Sequence, residues 1–210
     1  MNNVILTLTA PTCAGKSFLL DYLDQTGKYQ KIPTFTTRAK RAGEIQGVDY
    51  FFSDEREFQV VRGLPGGFIE EIEFGGNRYG MPAGYFFERM RQSDEIPVII
   101  CTPEGVQIYE EYAKDNGLIH VKAFVFTDDQ VRLERLMNRT YKDVKGATDD
   151  DGIRKAIHAN INRCRDVYVK ECDWFGKFKW DVIVEGTKGG SVAEPLISKK
   201  IEQLKKLYMS

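Results

Sequence analysis

Short apolar runs alternate along the chain with segments in which apolar residues recur every three or four positions. The runs predict strands at residues 4–9, 97–101, 120–126 and 181–184, and the first two are apolar enough for a sheet buried on both faces. The longer spacing predicts helices at residues 16–25, 54–61, 84–92, 105–116, 153–171 and 192–208. Thr127-Asp128-Asp129-Gln130 resembles a capping box, which predicts a further helix that ends at Asn138.

Strands that alternate with helices predict an α/β fold, in which a parallel sheet is flanked by helices. Residues 32–86 interrupt this alternation, because they are rich in glycine, aromatic and β-branched residues. We expect short strands in this region, with turns at Gly43, Gly47, Gly66-Gly67 and Gly75-Gly76. A length of 210 residues suits one domain that carries such a region as an insertion.

The segment between the first strand and the first helix carries candidate chemistry. It reads Ala10-Pro11-Thr12-Cys13-Ala14-Gly15-Lys16-Ser17, which is typical of a phosphate-binding loop except that Ala10 replaces a glycine. The N–H groups of such a loop and the positive end of the following helix hold phosphate oxygens. We expect Lys16 to reach the β- and γ-phosphates of ATP and Ser17 to ligate Mg²⁺. An ordinary strand-to-helix turn with a surface lysine is the alternative. The predicted ATP-binding residues are Thr12, Cys13, Ala14, Gly15, Lys16, Ser17 and Phe18.

Composition limits the partners and the compartment. A net charge of -1 gives no global basic field, so we expect no nonspecific binding of nucleic acid. Cys13, Cys101, Cys164 and Cys172 form no CxxC pair, and the two histidines lack metal-ligand spacing. We therefore expect free thiols in a reducing cytoplasm. The N-terminal apolar run is too short to cross a membrane, so we expect no membrane partner.

Two further strings resemble the guanylate kinase family. The first is Thr36-Thr37-Arg38-Ala39-Lys40-Arg41-Ala42-Gly43-Glu44-Ile45-Gln46-Gly47-Val48-Asp49-Tyr50-Phe51-Phe52, and the second runs from Phe68-Ile69-Glu70 to Gly76-Asn77-Arg78-Tyr79-Gly80. The resemblance extends from residue 4 to about residue 184 and is weakest after Thr140. It implies a core of residues 1–32, 87–138 and 172–210, a monophosphate-binding region of residues 33–86, and a helical lid at about 139–171.

The resemblance implies that the phosphate of a nucleoside monophosphate is held by two arginines and two tyrosines. Arg38 and Arg41 can each hold phosphate oxygens through two N–H groups. Tyr50 and Tyr79 can each donate a phenolic hydrogen bond to the same phosphate. A solvated basic patch, to which Lys40 also belongs, is the alternative for the arginines.

The positions that read the base in the family match only in part. Glu70 is implied to accept hydrogen bonds from the ring N–H and amino group of a purine, and Thr34 to bond a carbonyl edge. Met81 stands where the family commonly has a serine that contacts guanine, and Ile100 and Thr102 stand where it has a D-x-D motif. Loss of hydrogen-bonding groups changes discrimination between bases strongly. A changed or broader base preference therefore stays open.

Two more arginines lie at the start of the predicted lid. Arg135 and Arg139 are four residues apart, so they share one helix face, and they resemble the arginines with which the family neutralises the transferring phosphoryl group. Together with Lys16 they form the predicted catalytic set. A charged helix surface is the alternative. A later lid arginine of the family aligns near Ala156, beside Arg154 and Lys155.

The sequence therefore predicts an enzyme that phosphorylates a nucleoside monophosphate with ATP and Mg²⁺, with GMP or dGMP as the expected acceptor. A kinase for a pyrimidine or modified deoxynucleotide, and a noncatalytic binding module, are the alternatives. We expect a monomer or a homodimer. Glu70, Glu71 and Glu104 are candidates for a carboxylate that supports the metal.

Overall fold

The computed structural model describes residues 3–41, 43–147, 149–171 and 173–209, in which nine strands form two sheets. The strands are β1 (Val4–Thr9), β2 (Tyr29–Lys31), β3 (Phe35–Thr36), β4 (Phe51–Phe52), β5 (Phe68–Phe74), β6 (Asn77–Pro82), β7 (Ile96–Ile100), β8 (Ile119–Phe126) and β9 (Val182–Glu185). The helices are α1 (Lys16–Gln25), α2 (Glu55–Arg62), α3 (Ala83–Gln92), α4 (Pro103–Asp115), α5 (Asp129–Lys145), α6 (Asp150–Lys170) and α7 (Gly190–Met209), and Trp174–Lys177 forms a 3-10 helix.

The larger sheet is parallel and holds the core. Its strand order is β2-β7-β1-β8-β9, and every pairing between neighbours is parallel. The central strand β1 is buried on both faces. Leu6 and Leu8 pack with Ile197 of α7 on one face, whereas Ile5 packs with Val106 of α4 on the other. Alternation along a strand sends successive side chains to opposite faces, so both faces need covering helices.

The smaller sheet is mixed and lies within the inserted region. Its strand order is β4-β3-β6-β5, with β3 parallel to β4 and antiparallel to β6. Lys31, at the end of β2, forms ion pairs with Asp21 of α1 and Asp49 of the inserted region, at 3.2 and 3.1 Å. The inserted region is therefore tied to the parallel sheet near the point where the chain leaves it. The predicted α/β class, with a second mixed sheet and flanking helices, is confirmed.

The structure corrects two predictions about α5. The helix continues to Lys145 rather than ending at Asn138. The predicted capping box at Thr127 is also wrong, because the side chain of Asp128 caps the helix by accepting the N–H of Gln130 at 2.9 Å. The Thr127 hydroxyl instead donates to the carbonyl of Ala14 at 2.8 Å. The short strand β2 was not predicted, because its three residues show no clear alternation.

Two of the four cysteines can be assessed. Cys13 and Cys101 are free thiols, as expected. Cys172 and the side chain of Cys164 lie outside the described residues, as do Ala42 in the predicted monophosphate-binding region and Thr148 in the predicted lid. Across the ranges that the structure describes, every helix is too short or too polar to cross a membrane.

Candidate active site

The loop between β1 and α1 has the geometry of an anion cradle. Gly15 is the N-cap of α1 with φ of 97°, and having no side chain it leaves the first N–H groups of the helix open. Cys13 has φ of 64°, and in the described chain it is the one residue other than glycine with a positive φ. Ala10 keeps an ordinary backbone conformation and is 2% exposed, so its replacement of glycine causes no strain. The loop is therefore compatible with a bound phosphate.

Lys16 follows the loop as its cation. Burial lowers the pKa of its ammonium group, and the negative charge of Glu171 opposes that shift. The positive charge of Arg41, from the inserted region, lowers the pKa of Lys16 further. Arg41 is therefore close enough for its charge to act on Lys16. Lys16 forms no ion pair within the described ranges.

Carbonyl groups on the outer side of the loop are held by neighbouring elements. Arg135 donates from Nη1 to the carbonyl of Cys13 at 3.0 Å, so this predicted catalytic arginine contacts the loop itself. Gly186, directly after β9, lies so close to the loop that a Cβ there would meet the carbonyl of Ala14. Arg139 is half-buried and forms no ion pair with any residue described. Sequence reasoning missed Gly186, because nothing in the local pattern reveals a contact between distant loops.

The side chain that sequence reasoning missed most completely is Glu171. Its carboxylate accepts the N–H and the hydroxyl of Thr12, both at 2.8 Å, although the two residues are 159 positions apart. Arg132 donates from Nη2 to the same carboxylate at 3.0 Å and from Nε to the carbonyl of Thr12 at 3.1 Å. The sequence did contain one indication that Arg132 lies near the loop. Arg132 is three residues before Arg135, and residues three apart share a helix face.

On the inserted region, Arg38 lies among the predicted phosphate ligands. Its guanidinium lies 5.1 Å from the ring centre of Tyr50, and the rings of Tyr50 and Tyr79 are 6.0 Å apart. Glu44 pairs with Arg38 at 2.8 Å, accepts the backbone N–H of Arg41 at 2.8 Å and lies 3.7 Å from its guanidinium. The structure thus brings together the four predicted ligands Arg38, Arg41, Tyr50 and Tyr79, with Glu44 between the arginines.

The predicted base-reading residues lie deeper. Thr34 is 6% exposed, and Glu70 is 2% exposed and faces Met81 across the β5–β6 pair. Burial raises the pKa of Glu70 to about 8, although a hydrogen bond from the Tyr109 hydroxyl, at 3.4 Å, lowers it. The second carboxyl oxygen of Glu70 has no hydrogen-bond partner. A buried carboxyl without a cation is more stable when it is protonated.

Two of the base-reading candidates have structural contacts of their own. Met81 is fully buried in the core cluster that also contains Phe86 and Val106. Thr102 caps α4 by accepting the N–H of Gly105 at 3.3 Å. Neither side chain presents the hydrogen-bonding group that the family pattern has at its position, so the chain differs from that pattern in chemistry at these two positions.

Ser17 is the residue that the sequence predicts to ligate Mg²⁺. The Ser17 side chain is exposed at the start of α1, next to Phe18, which is 65% exposed. Among the three carboxylate candidates, Glu70 has a pKa raised to about 8, which disfavours the ionised form that a metal needs, Glu71 pairs with Arg62 and Arg78, and Glu104 pairs with Lys177. No cluster of three or more potential metal ligands occurs within the described ranges. Mg²⁺ commonly keeps several waters and binds substrate phosphates, so a single hydroxyl fits a metal that arrives with the nucleotide.

The parallel sheet, its phosphate-binding loop and the second sheet define a protein of the phosphate-loop class. Residues 1–148 match the family model described as Guanylate kinase. The chain belongs to the guanylate kinase family.

Similar proteins carry the same family name. A guanylate kinase of a Synechococcus species is 30% identical over 162 residues, which cover 70% of this chain and 82% of the relative. A guanylate kinase of Symbiobacterium thermophilum is 33% identical over 110 residues, 52% of each protein, so the chain spans about half the length of that relative. The crystal structure of guanylate kinase from Anaplasma phagocytophilum covers 100% of this chain and 88% of its own, with a TM-score of 0.58 at 20% identity. That structure shares the fold.

Proposed function

We propose that this protein transfers the γ-phosphoryl group of ATP to a nucleoside monophosphate, with GMP or dGMP as the expected acceptor. The observation that carries the proposal is the presence of two anion-binding arrangements in one protein: the loop that ends at Gly15 and Lys16, and the cluster of Arg38, Arg41, Tyr50 and Tyr79 on the inserted region. The first would hold the donor nucleotide and the second the acceptor monophosphate. Phosphoryl transfer needs mainly such positioning and positive charge, since little covalent chemistry falls to the protein.

In the proposed donor site, residues 12–18 hold the ATP phosphates. The N–H groups around Gly15 take the phosphate oxygens, and Lys16 reaches the transferring group. Arg135 lies against the loop already, and Arg139, one turn further along α5, is free to neutralise charge on the phosphoryl group. The hydroxyl of Ser17 holds Mg²⁺, which neutralises phosphate charge when it is bound.

In the proposed acceptor site, the monophosphate lies between Arg38, Arg41, Tyr50 and Tyr79. A monophosphate carries nearly two negative charges at neutral pH, and guanidinium groups bind such oxygens in pairs. Glu70, Thr34, Met81 and Thr102 line the base side. Closure of the inserted region and the lid excludes water, which would otherwise hydrolyse ATP.

A second acceptor class is favoured by the environment of Glu70. An ionised carboxylate suits guanine, because it accepts hydrogen bonds from the ring N–H and the amino group together. Protonated Glu70 offers one donor and one acceptor, and its unpartnered oxygen has no cation beside it. That pattern complements a base edge that itself has one donor and one acceptor, such as thymine, uracil or hypoxanthine.

The decisive experiment is a panel of acceptors with ATP and Mg²⁺: GMP, dGMP, IMP, dTMP, dUMP, dCMP and AMP. Strict use of GMP and dGMP would support the first acceptor class and reject the second. Preference for IMP, dTMP or dUMP would support the second acceptor class and reject the first. Failure to phosphorylate any monophosphate, together with no MgATP binding by calorimetry, would favour a noncatalytic binding module.

A further inference from the structure

Two residues from outside the loop form hydrogen bonds with three groups of Thr12: its N–H, its hydroxyl and its carbonyl. Glu171 accepts its N–H and its hydroxyl, and Arg132 donates to its carbonyl. The pair also bonds to itself, since Nη2 of Arg132 donates to the Glu171 carboxylate at 3.0 Å. We call Arg132 and Glu171 the Thr12 clamp. Glu171 lies directly after α6, at the end of the predicted lid, and Arg132 lies in the first turn of α5, the helix that leads into the lid.

The clamp is a buried and well-satisfied ion pair. The side chains of Arg132 and Glu171 are 7% and 2% exposed. One Glu171 oxygen accepts the Thr12 hydroxyl, and the other accepts the Thr12 N–H together with Arg132. Glu171 is therefore committed to the loop and is not available as a metal ligand. A buried pair whose hydrogen bonds are complete becomes destabilising when one partner is removed.

The clamp acts on the most strained point of the loop. Cys13 adopts φ of 64°, and for a residue with a side chain the left-handed conformation costs about 1 kcal/mol or more. The carbonyl before Cys13 is held by Arg132 and its own carbonyl by Arg135, both from α5. Strained conformations persist where the surroundings fix them from several sides. Two arginines thus fix the peptide groups on both sides of Cys13.

We propose that Arg132 and Glu171 are positioning residues for the donor nucleotide, which hold the loop in its phosphate-binding shape from the start of α5 and from the end of the predicted lid. The inference rests on the proposed function, in which this loop binds ATP. Neither residue is assigned a phosphate contact, because both side chains are buried, both Glu171 oxygens accept from Thr12, and each nitrogen of Arg132 donates to Thr12, Asp129 or Glu171. They act through the orientation of Thr12 and Cys13, whose downstream N–H groups form the cradle.

The test compares Glu171→Gln, Glu171→Asp and Thr12→Val with a control, Glu110→Gln, which removes one partner of the ion pair with Lys122. Glutamine turns an acceptor oxygen into an amide donor that faces the donors of Thr12 and Arg132. We expect MgADP binding, measured by calorimetry, to weaken about tenfold in Glu171→Gln and about threefold in Thr12→Val. Aspartate keeps the charge and should restore part of the affinity. The control should stay within about twofold.

A KM-against-kcat comparison separates positioning from general stability. The KM for ATP should rise in the Glu171 variants, whereas the KM for the monophosphate should stay within about twofold, because its proposed ligands lie on the inserted region. A loss of thermal stability with unchanged MgADP affinity and unchanged KM for ATP would overturn the proposal. If Glu171→Gln does not fold, Thr12→Val and Glu171→Asp carry the test, and native MgADP affinity in both would overturn it as well.

The binding arm is independent of the acceptor. If the unmodified protein binds MgADP but phosphorylates no monophosphate, the proposed function fails, while the clamp is still judged by the affinities of the variants. If the unmodified protein binds no MgADP, both proposals are wrong.

Discussion

The guanidinium of Arg38 is held by the carboxylate of Glu44 through two hydrogen bonds, at 3.0 Å from Nη1 and 2.8 Å from Nη2. Nη1 also donates to the carbonyl of Ala39. A guanidinium has five N–H groups, so the Nε–H and one N–H of Nη2 stay available on the same edge. Glu44 therefore fixes the direction of Arg38 and leaves it a pair of donors for a phosphate.

Glu44→Gln should weaken monophosphate binding. The amide of glutamine cannot form the charge-assisted hydrogen bonds with Arg38, so the Arg38 side chain becomes more mobile. Substrate binding must then order this side chain, which costs free energy. We expect the KM for the monophosphate to rise about tenfold, with MgADP affinity within about twofold of the unmodified protein. Glu55→Gln, which removes an exposed ion pair with Arg78, is the matched control. An unchanged KM in Glu44→Gln would contradict the role given to this carboxylate.

Lys16→Met should abolish transfer without unfolding the protein. The substitution keeps the aliphatic stem and removes a cation that burial already disfavours, so the melting temperature should not fall. The kcat/KM should drop by about 1000-fold or more, because the transferring group loses its cationic partner. Steady-state assays and thermal unfolding measure the two effects separately. Near-native turnover would count decisively against the assignment of the loop.

Glu70 should make the protein less stable as the pH rises from about 4.5 to about 8. The unfolded chain releases this proton near the ordinary pKa of 4.5, whereas the folded chain retains it until about 8. Between these values the folded state binds more protons, so the free energy of unfolding decreases with pH. Glu70→Gln removes the dependence, and its stability relative to the unmodified protein should increase by about 3 kcal/mol across that window.

Denaturant unfolding at pH 5 and pH 8 measures this difference. Glu73→Gln, at an exposed position of the same strand, should show no comparable change between the two conditions. A constant stability difference between Glu70→Gln and the unmodified protein would mean that Glu70 is ionised in the folded state. In that case Glu70 offers two acceptor oxygens, which suit the two donors of guanine.

Gly186→Ala should disturb the donor site. A Cβ at this position would lie 2.9 Å from a methyl carbon of Val125 and would also overlap the carbonyl of Ala14. Overpacking of this kind costs about 1–3 kcal/mol, and relief requires the loop to shift. We expect lower thermal stability and weaker MgADP binding. Gly84→Ala in α3 is the control, since nothing lies within 4 Å of its added carbon, and it should be neutral or slightly stabilising.

The local hydrophobic pattern predicted the first strand and the first helix accurately. The bounds of β1 and α1 agree with prediction, because an apolar run and an unbroken helical spacing flank the loop. The end of α5 was placed too early, since the polar residues after Asn138 leave no apolar stripe to follow. Polar helices of this kind are stabilised by contacts with their neighbours, here α6, which periodicity does not reveal.

The candidate site was predictable where motif residues are close in sequence. Arg38, Arg41 and Tyr50 lie within one short string, and they come together in the structure. Glu171 could not be found in this way, because its partner Thr12 is 159 residues away and no motif links the end of the predicted helix to the loop. The protonation of Glu70 was equally hidden, since it depends on burial and on the absence of a nearby cation.

Gly15 and Gly186 meet across the loop, where a carbon added to Gly15 would lie 2.9 Å from the carbonyl oxygen of Gly186. Because even a methyl group is too large on either residue, no amino acid other than glycine fits at these two positions. Thr187 and Lys188, immediately downstream, are exposed and tolerate exchange. Related sequences should therefore vary at positions 187 and 188, whereas Gly15 and Gly186 should not change.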